Sequence, residues 1–544
     1  MNRRDFLLST LATTSVLMVP SWARGNRQFL PSGITLDADM APLERLTVFA
    51  GSSVIEGDAP DEAHEIFWDK PGYVKRKGGI PAVSAEYDVV IVGGGLSGLS
   101  AAHYLKGKKI LLIEGHQRLG GNAKAQVYGK SYTSIGSAYI TVPETGGEID
   151  RFLTTLQLKN KFRKINHAEE AVTLNGKAIS NFWEGGSSPV HAEEFKRARE
   201  KFTDIFENKY PELPIWNNSG SSRAYFNSLD RMTFADWISR ELGTTHPHIL
   251  EFINLYCWSS FSAGAAHISA AQGLNFLAAD LNGTQVLPGG NGLISQALYE
   301  NLKRRPGVTL LNNSFAVDIH SVGGKAVVAY KDSTNSLVSV SAKHCIVASP
   351  KMVMKHVISN LPAEQTKAMN RMSYRAYLVA NIFMKKKIKS PGYDLFTMNG
   401  SVPVDPYKES VSRVLTDVIF ADWAMRDVAD RSILTLYLPL PYAMAQQYLF
   451  APGLYEKYQG RIRERLAPVL SNLNLSWNDV QGMRLVRYGH AVPLAMTAGV
   501  SSGIFEQASA SIDQCIHFAN QDNWGNPCFE TSLGSALAVA RKIR

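Results

Sequence analysis

The stretch "VVIVGGGLSGLSAAHYL", Val89–Leu105, decides the fold. Four apolar residues run into three consecutive glycines, and small apolar residues follow at helical spacing. This predicts a buried strand, a tight turn, and a helix packed close against that strand. Gly93, Gly95 and Gly98 keep the G-x-G-x-x-G spacing. The first glycine permits the turn. The second lets backbone approach a pyrophosphate, and the third lets helix and strand pack closely. The helix start at Leu96 and Ser97 adds free N–H groups and the positive end of the helix dipole. Downstream, "KKILLIEG" supplies a second apolar strand ending at Glu114, 21 residues after Gly93. Two strands joined by that helix make a right-handed crossover. An acid at this spacing binds both hydroxyls of a ribose, so the unit predicts dinucleotide binding.

The residues after Glu114 separate NAD from FAD. "EGHQRLGGNA" resembles the motif that follows the ribose acid in flavin amine oxidases, where Arg-x-Gly-Gly-Arg contacts the FAD diphosphate. Arg118, Gly120 and Gly121 match it, and Asn122 replaces the second arginine. "YTSIGSAYITVPETGGEIDRFLTTLQL" (132–158) resembles the family segment in which a Gly-rich turn precedes a long helix. "IHFANQD" and "ETSLGSALAVA" resemble the C-terminal signature. There an acid touches the flavin ribityl chain and the last helix points its N-terminus at the flavin. Asp522 matches the acid, Glu530 opens the last segment, and Asn520, Thr531 and Ala536 depart from the pattern. The chain thus resembles, in blocks from Tyr87 to Arg544, the flavin-containing amine oxidase superfamily of monoamine and polyamine oxidases and phytoene desaturases.

The resemblance implies an α/β fold: a discontinuous Rossmann-like FAD-binding domain plus an α+β substrate-binding domain. Cofactor segments are expected at 87–165, 283–355 and 481–544, and substrate-domain segments at 166–282 and 356–480. Val317, in a strand meander, matches the position whose backbone meets the adenine. No cysteine lies in the flavin-linking segment, where Ala491 and Val492 stand, so noncovalent FAD is expected.

Composition sets further bounds. The chain has 544 residues, 45% hydrophobic and 19% charged, enough for several domains with a sizeable core. The formal net charge of +9 is spread over short clusters such as "KRK" (75–77) without interleaved aromatics, which argues against nucleic-acid binding. The first residues, "MNRRDFLLSTLATTSVLMVPSWAR", have a charged start, a mildly apolar centre and a small-residue exit. Arg3-Arg4 before Asp-Phe-Leu resembles a twin-arginine export signal over residues 1–23. An ordinary secretory signal and an uncleaved anchor are the alternatives. The expected location is the periplasm, after passage through the twin-arginine export machinery. No stable membrane span is expected. Residues 24–86, rich in Gly, Pro, Asp and Glu, read as an irregular extension. Cys257, Cys345, Cys515 and Cys528 form no CxxC pair, so a cysteine metal cluster is not expected. Spacing leaves open whether Cys515 and Cys528 join.

A flavin carries the redox chemistry, so few protein catalytic groups are required. Lys355 follows Pro350 by five residues, the spacing at which many amine oxidases hold a lysine against flavin N5 through a water. A surface lysine is the alternative. His490, in "RYGHAVP", is a second candidate, and a structural hydrogen-bonding role is its alternative. The paired sandwich tyrosines of monoamine oxidation are replaced by Val492 and Cys528, which leaves Trp258, Phe261, Trp423 and Tyr437 as candidate cavity aromatics. Three readings follow. The first is an FAD-dependent oxidoreductase passing hydride from an amine or polyamine to flavin N5, with oxygen, a quinone or a redox protein as acceptor. The second is a desaturase-like CH–CH oxidoreductase on an apolar substrate. The third is a non-catalytic flavin-bearing binding protein.

Overall fold

The structure is a computed structural model that describes residues 43–46, 53–166, 171–213, 220–400, 415–425, 428–440, 445 and 449–543. The candidate export signal lies outside the described residues.

Two large sheets organise the described chain. The first has seven strands. Val83–Val92, the strand that feeds the glycine turn, lies between Ile110–Ile113 and Leu337–Val347, parallel to both. Val308–Leu311 extends one edge in parallel. On the other side Lys325–Lys331 and Phe315–Val322 form an antiparallel meander, and Ile516–Phe518 pairs with the end of Leu337–Val347. The sheet is therefore assembled from three separated stretches of chain. Its parallel strands are apolar on both faces because helices cover both. Leu96–Tyr104 and the last helix, Phe529–Lys542, share one apolar cluster on one side.

The second sheet has eight strands, and its strict alternation sorts two chemistries onto two faces. Leu378, Leu395, Val418, Leu436 and Leu485 point to one face, where they pack under the helix Leu454–Asn472. The residues between them carry hydroxyls and carboxylates. Asp394 lies opposite Ile419, Phe396 opposite Asp417, Asp417 opposite Tyr437, and Tyr377 opposite Tyr488. Directly opposed residues share a face. That face meets Ile135, Ala138 and Val286 from the segment after the cofactor motif. Helices between Ala192 and Asn282 bury a separate aromatic core that includes Phe261.

The extension departs from the sequence reading. Instead of irregular chain, Ser53–Gly57 is an edge strand of the second sheet, parallel to Val480–Pro493. Pro60–Arg76 is a helix, and the first sheet's lead strand already starts at Val83. The helix has good local reasons. Pro60 opens it, Asp61 and Glu62 lie in its first turn, and Lys75 and Arg76 in its last, matching the dipole. Asp69 breaks the helical dihedrals two residues before Pro71, which kinks the helix and disguises its periodicity. Ile66 and Tyr73 pack on Val317, and Lys70 Nζ donates to Asp318 at 2.9 Å. One short segment thus adds a strand to one sheet and a helix to the other.

Between its helices the segment 149–282 holds strands at Arg163–Lys164, Ala171–Leu174 and Lys177–Ile179. All four cysteines are free thiols, including Cys515 and Cys528. Among the described residues no helix is long and apolar enough to cross a membrane.

Candidate active site

The glycine turn is built for a close approach. Gly93 takes φ +112°, open to glycine alone at little cost, and a Cβ on Gly98 would lie 1.9 Å from the Gly93 carbonyl oxygen. Gly95 differs: a Cβ there would meet only the Gly121 backbone, at 3.7 Å. Gly95 and Gly120 form a bridge, and Gly120 N–H donates to the Gly94 carbonyl at 2.7 Å. This holds the second motif, Gly120-Gly121, against the first. Gly95 caps the helix with no side chain, so the first-turn N–H groups of Leu96, Ser97 and Gly98 face outward without a side-chain acceptor.

Glu114 sits where predicted, buried at the end of its strand. Its carboxylate accepts from Gly94 N–H at 2.7 Å and His116 N–H at 2.8 Å. Each oxygen keeps a lone pair for a ribose hydroxyl. Arg118 is nearly buried. Its Nη1 donates to the Ala125 carbonyl and its Nη2 lies 3.8 Å from Glu56 of the edge strand, which also pairs with Arg484. Val317 lies at a β-bulge between Ala316 and Asp318, without a partner across the ladder, which frees backbone groups for a planar ligand. These residues fit a dinucleotide: open helix N–H groups, a cation, a ribose acid and a bulged strand converge on one turn.

Asp522 and Glu530 both bond within the protein. Asp522 is fully buried in a network of protein groups: it accepts from Lys351 Nζ at 2.5 Å, Lys351 N–H at 2.8 Å and Tyr374 Oη at 2.6 Å. Burial pulls the Lys351 ammonium below its ordinary pKa, against the pull of Asp522. Glu530 accepts from the Thr141 N–H and hydroxyl, fastening the last helix to the segment after the Gly-rich turn. The sequence departures have structural uses. Asn122 and Gln521 both donate to the Ala491 carbonyl, at 3.2 and 3.1 Å, and Asn520 donates to Ala348 while accepting from Asp522 N–H.

Lys355 lies on the short helix Lys351–Val357, and its Nζ donates to Asn370 at 3.0 Å. Its charge reaches His490, whose pKa burial holds below the ordinary value, against Asp58. Asp58 accepts from the Gly489 N–H at 2.7 Å. The structure thus brings Lys355, His490 and the extension together around one loop.

The polar face of the second sheet forms the other wall. Tyr377, Tyr393, Tyr437, Tyr488 and Trp423 share an aromatic cluster with Ala491 and Val492. Of the four aromatics singled out from sequence, Trp423 and Tyr437 belong here. Phe261 lies in the helical core, and Trp258 is buried on the helix Pro247–Phe261. Sequence reasoning missed the acids among them. Asp280 accepts from Tyr256 Oη at 2.7 Å and Tyr139 Oη at 3.2 Å. Asp417 accepts from Thr416 and Ser259 hydroxyls, and burial pushes its pKa up to about 7. Burial first, then Asp280, Asp394 and Asp417 together, raise Tyr139 well above the phenol range. The available signal was the alternation in "DLFTM" and "DVIF", which start strands with an acid on one face.

A family model described as flavin containing amine oxidoreductase matches residues 96–543. The oxidoreductase PigB of Serratia sp. (strain ATCC 39006) is 25% identical over 515 residues, covering 84% of this chain and 75% of that protein. The L-amino-acid oxidase of Sistrurus catenatus edwardsii is 22% identical over 331 residues, 55% of this chain and 58% of its own length. Among solved structures, a putrescine oxidase redesigned in cofactor binding covers 84% of this chain and 99% of its own, with a TM-score of 0.61 at 18% identity. Cyclohexylamine oxidase from Brevibacterium oxydans IH-35A covers the same shares at a TM-score of 0.59 and 14% identity.

Proposed function

Because this chain belongs to the flavin-containing amine oxidoreductase family, we propose that it is an exported FAD-dependent oxidoreductase acting on an amine or polyamine. The observation that carries this reading is the face of Tyr377, Tyr437, Asp394 and Asp417. Electron-rich rings and carboxylates in a dry layer attract a basic nitrogen and repel an anion.

FAD is the cofactor of the family, and when bound it supplies a two-electron acceptor for the hydride leaving the carbon beside nitrogen. The chain's own residues do the rest. Leu96, Ser97 and Gly98 offer N–H groups to the diphosphate, Arg118 offers charge, Glu114 holds the ribose, and the Val317 backbone meets the adenine. Tyr377, Tyr437 and Trp423 exclude water from the substrate. The substrate nitrogen gives up its proton as the imine forms, and Lys355 with His490 steers proton movement beside the reacting centre. The cofactor is held without a covalent bond, and oxygen, a quinone or a redox protein takes the electrons afterwards.

The deciding experiment mixes the yellow holoprotein, without oxygen, with amines, amino acids and apolar CH–CH donors. Bleaching by amines supports the reading. Bleaching by the apolar donors alone replaces it with a desaturase, and no bleaching by any class leaves a binding protein. Lys355→Met then separates the half-reactions by stopped flow. Slower reoxidation supports the lysine's role, and both rates within twofold of the parent remove it. Export rests on Arg3-Arg4. Their double change to Lys is expected to keep folded yellow protein in the cytoplasm, and normal export of that variant overturns the twin-arginine reading.

A further inference from the structure

The segment ahead of the first sheet reaches the cofactor residues at three places. Glu56 of the edge strand Ser53–Gly57 stands between two guanidinium groups. One carboxylate oxygen pairs with Arg484, which is 2% exposed. The other accepts from Gln126 Nε2 at 2.7 Å and lies 3.8 Å from Arg118 Nη2. At 3.8 Å the contact with Arg118 is one of charge, outside hydrogen-bond range. Arg118 Nη1 donates to the Ala125 carbonyl at 3.3 Å, so the guanidinium is held from two sides.

Asp58, two residues on, accepts from the Gly489 N–H at 2.7 Å, and its carbonyl accepts from Arg487 Nε at 3.1 Å. Its charge reaches His490 and also His116, two residues after the ribose acid. The helix Pro60–Arg76 then lies on the bulge at Val317. Ile66 and Tyr73 pack on Val317 itself, and Lys70 Nζ donates to Asp318 at 2.9 Å, to Ser359 Oγ at 2.7 Å and to the Val357 carbonyl at 3.0 Å. Ser53–Gly57 joins its sheet through the backbone, so the Glu56 carboxylate is not what pairs the strand. An arginine that takes a diphosphate gains from a fixed direction, because its long stem must otherwise be ordered when the ligand arrives.

Resting on the placement above of the diphosphate at Arg118 and the adenine at Val317, we propose that Glu56 is a positioning residue for Arg118 and that the segment 53–76 is part of the cofactor site, so that its docking and FAD binding stabilise each other. Glu56 holds no cofactor atom. Its charge has the sign of a diphosphate, so it acts through the guanidinium and not on the ligand. Asp58 and the helix Pro60–Arg76 add the other two contacts, at the loop carrying His490 and at the Val317 bulge. Linkage makes the effect reciprocal: whatever factor docking adds to FAD affinity, FAD adds to docking. The competing account is that Glu56 only balances the charge of the buried Arg484.

The test follows FAD fluorescence as the full-chain holoprotein is diluted. Glu56→Gln and Arg118→Met are each expected to release FAD about tenfold faster than the parent, or more. Adding Arg484→Met to Glu56→Gln removes the buried cation whose charge Glu56 balanced. That double variant is expected to melt near the parent as apoprotein and still release FAD fast. Release restored along with melting makes Glu56 a structural counter-ion and overturns the proposal, as does parent-like release in Glu56→Gln while Arg118→Met is impaired. Parent-like release in Arg118→Met removes the diphosphate placement itself, and the proposal with it. Amide exchange on the unaltered chain, with and without FAD, needs no variant. FAD is expected to slow exchange about tenfold over 53–57 and 60–76, and to leave the helix Leu454–Asn472, on the other face of the second sheet, within about twofold. Equal slowing in the segment and that helix, or none in the segment, overturns the proposal.

Discussion

Removing the ammonium of Lys351 leaves the Asp522 carboxylate with only the Tyr374 hydroxyl and the backbone N–H of residue 351, and no access to water. Breaking a buried pair from one side costs about 3–5 kcal/mol. Lys351→Met is expected to lower the unfolding free energy from urea titration by that much, and Lys351→Met with Asp522→Leu to recover most of it, since replacing both partners with apolar groups is often neutral. Recovery would show that the pair itself, rather than Asp522 as a cofactor ligand, dominates at this position. The glycine turn gives a second contrast. Gly98→Ala drives a methyl into the Gly93 carbonyl and is expected to cost soluble protein. Gly95→Ala meets only ordinary contacts within the chain, so the apoprotein is expected to fold normally and lose FAD affinity. Circular dichroism paired with bound-flavin absorbance separates the two outcomes.

The kinked helix Pro60–Arg76 works as an element because its apolar side is narrow and well aimed. Ile66 is fully buried against Val317. Ile66→Ala is expected to cost about 2–5 kcal/mol of the helix's docking, read as faster amide exchange over residues 60–76 with the first sheet unchanged. This element also marks where sequence reading stops. The turn at Gly93–Gly98, the strands on either side and the ribose acid are legible because local sterics and period dictate them. The helix was hidden by Pro71, whose kink interrupts the pattern at Asp69. The carboxylates on the polar face of the second sheet were hidden for another reason. Strand alternation tells that Asp394 and Asp417 share a side, but only the pairing of strands from distant segments puts them beside Tyr377 and Tyr437. Lys351 was masked by its neighbour Lys355, since spacing cannot say which lysine turns inward.

At the scale of the whole molecule, buried titratable groups act in opposite senses. Burial, then Arg305, holds His103 down to about 4, and burial, then His344, does the same for His517. Their unfolded forms take up protons from about pH 6.5 downward, so their contribution to stability is complete above that pH and is lost as pH falls towards 4. Asp417 runs the other way. Its folded value of about 7 exceeds the unfolded carboxylate value, so its contribution is lost as pH rises from about 4 to 7. The two trends offset each other in the native protein. Asp417→Asn removes one of them, and the rise of unfolding free energy between pH 4.5 and 6.5 is expected to steepen relative to the parent. Urea titrations at the two pH values check it, and an unchanged slope counts against a protonated Asp417.

The edge strand Ser53–Gly57 finds its partner at Met483–Arg487, 430 residues further along the chain. Contacts that distant form late, because the intervening chain must first be made and folded. During synthesis this strand leaves the ribosome early and has nothing to pair with until nearly everything else has appeared. Its exposed backbone donors and acceptors are then a hazard for pairing with another chain. The late step is therefore the docking of Ser53–Gly57, and the same step lays Asp58 against Gly489 beside the loop that carries His490. The completed site and the completed fold arrive in one event, and a chain cut short before residue 483 has neither.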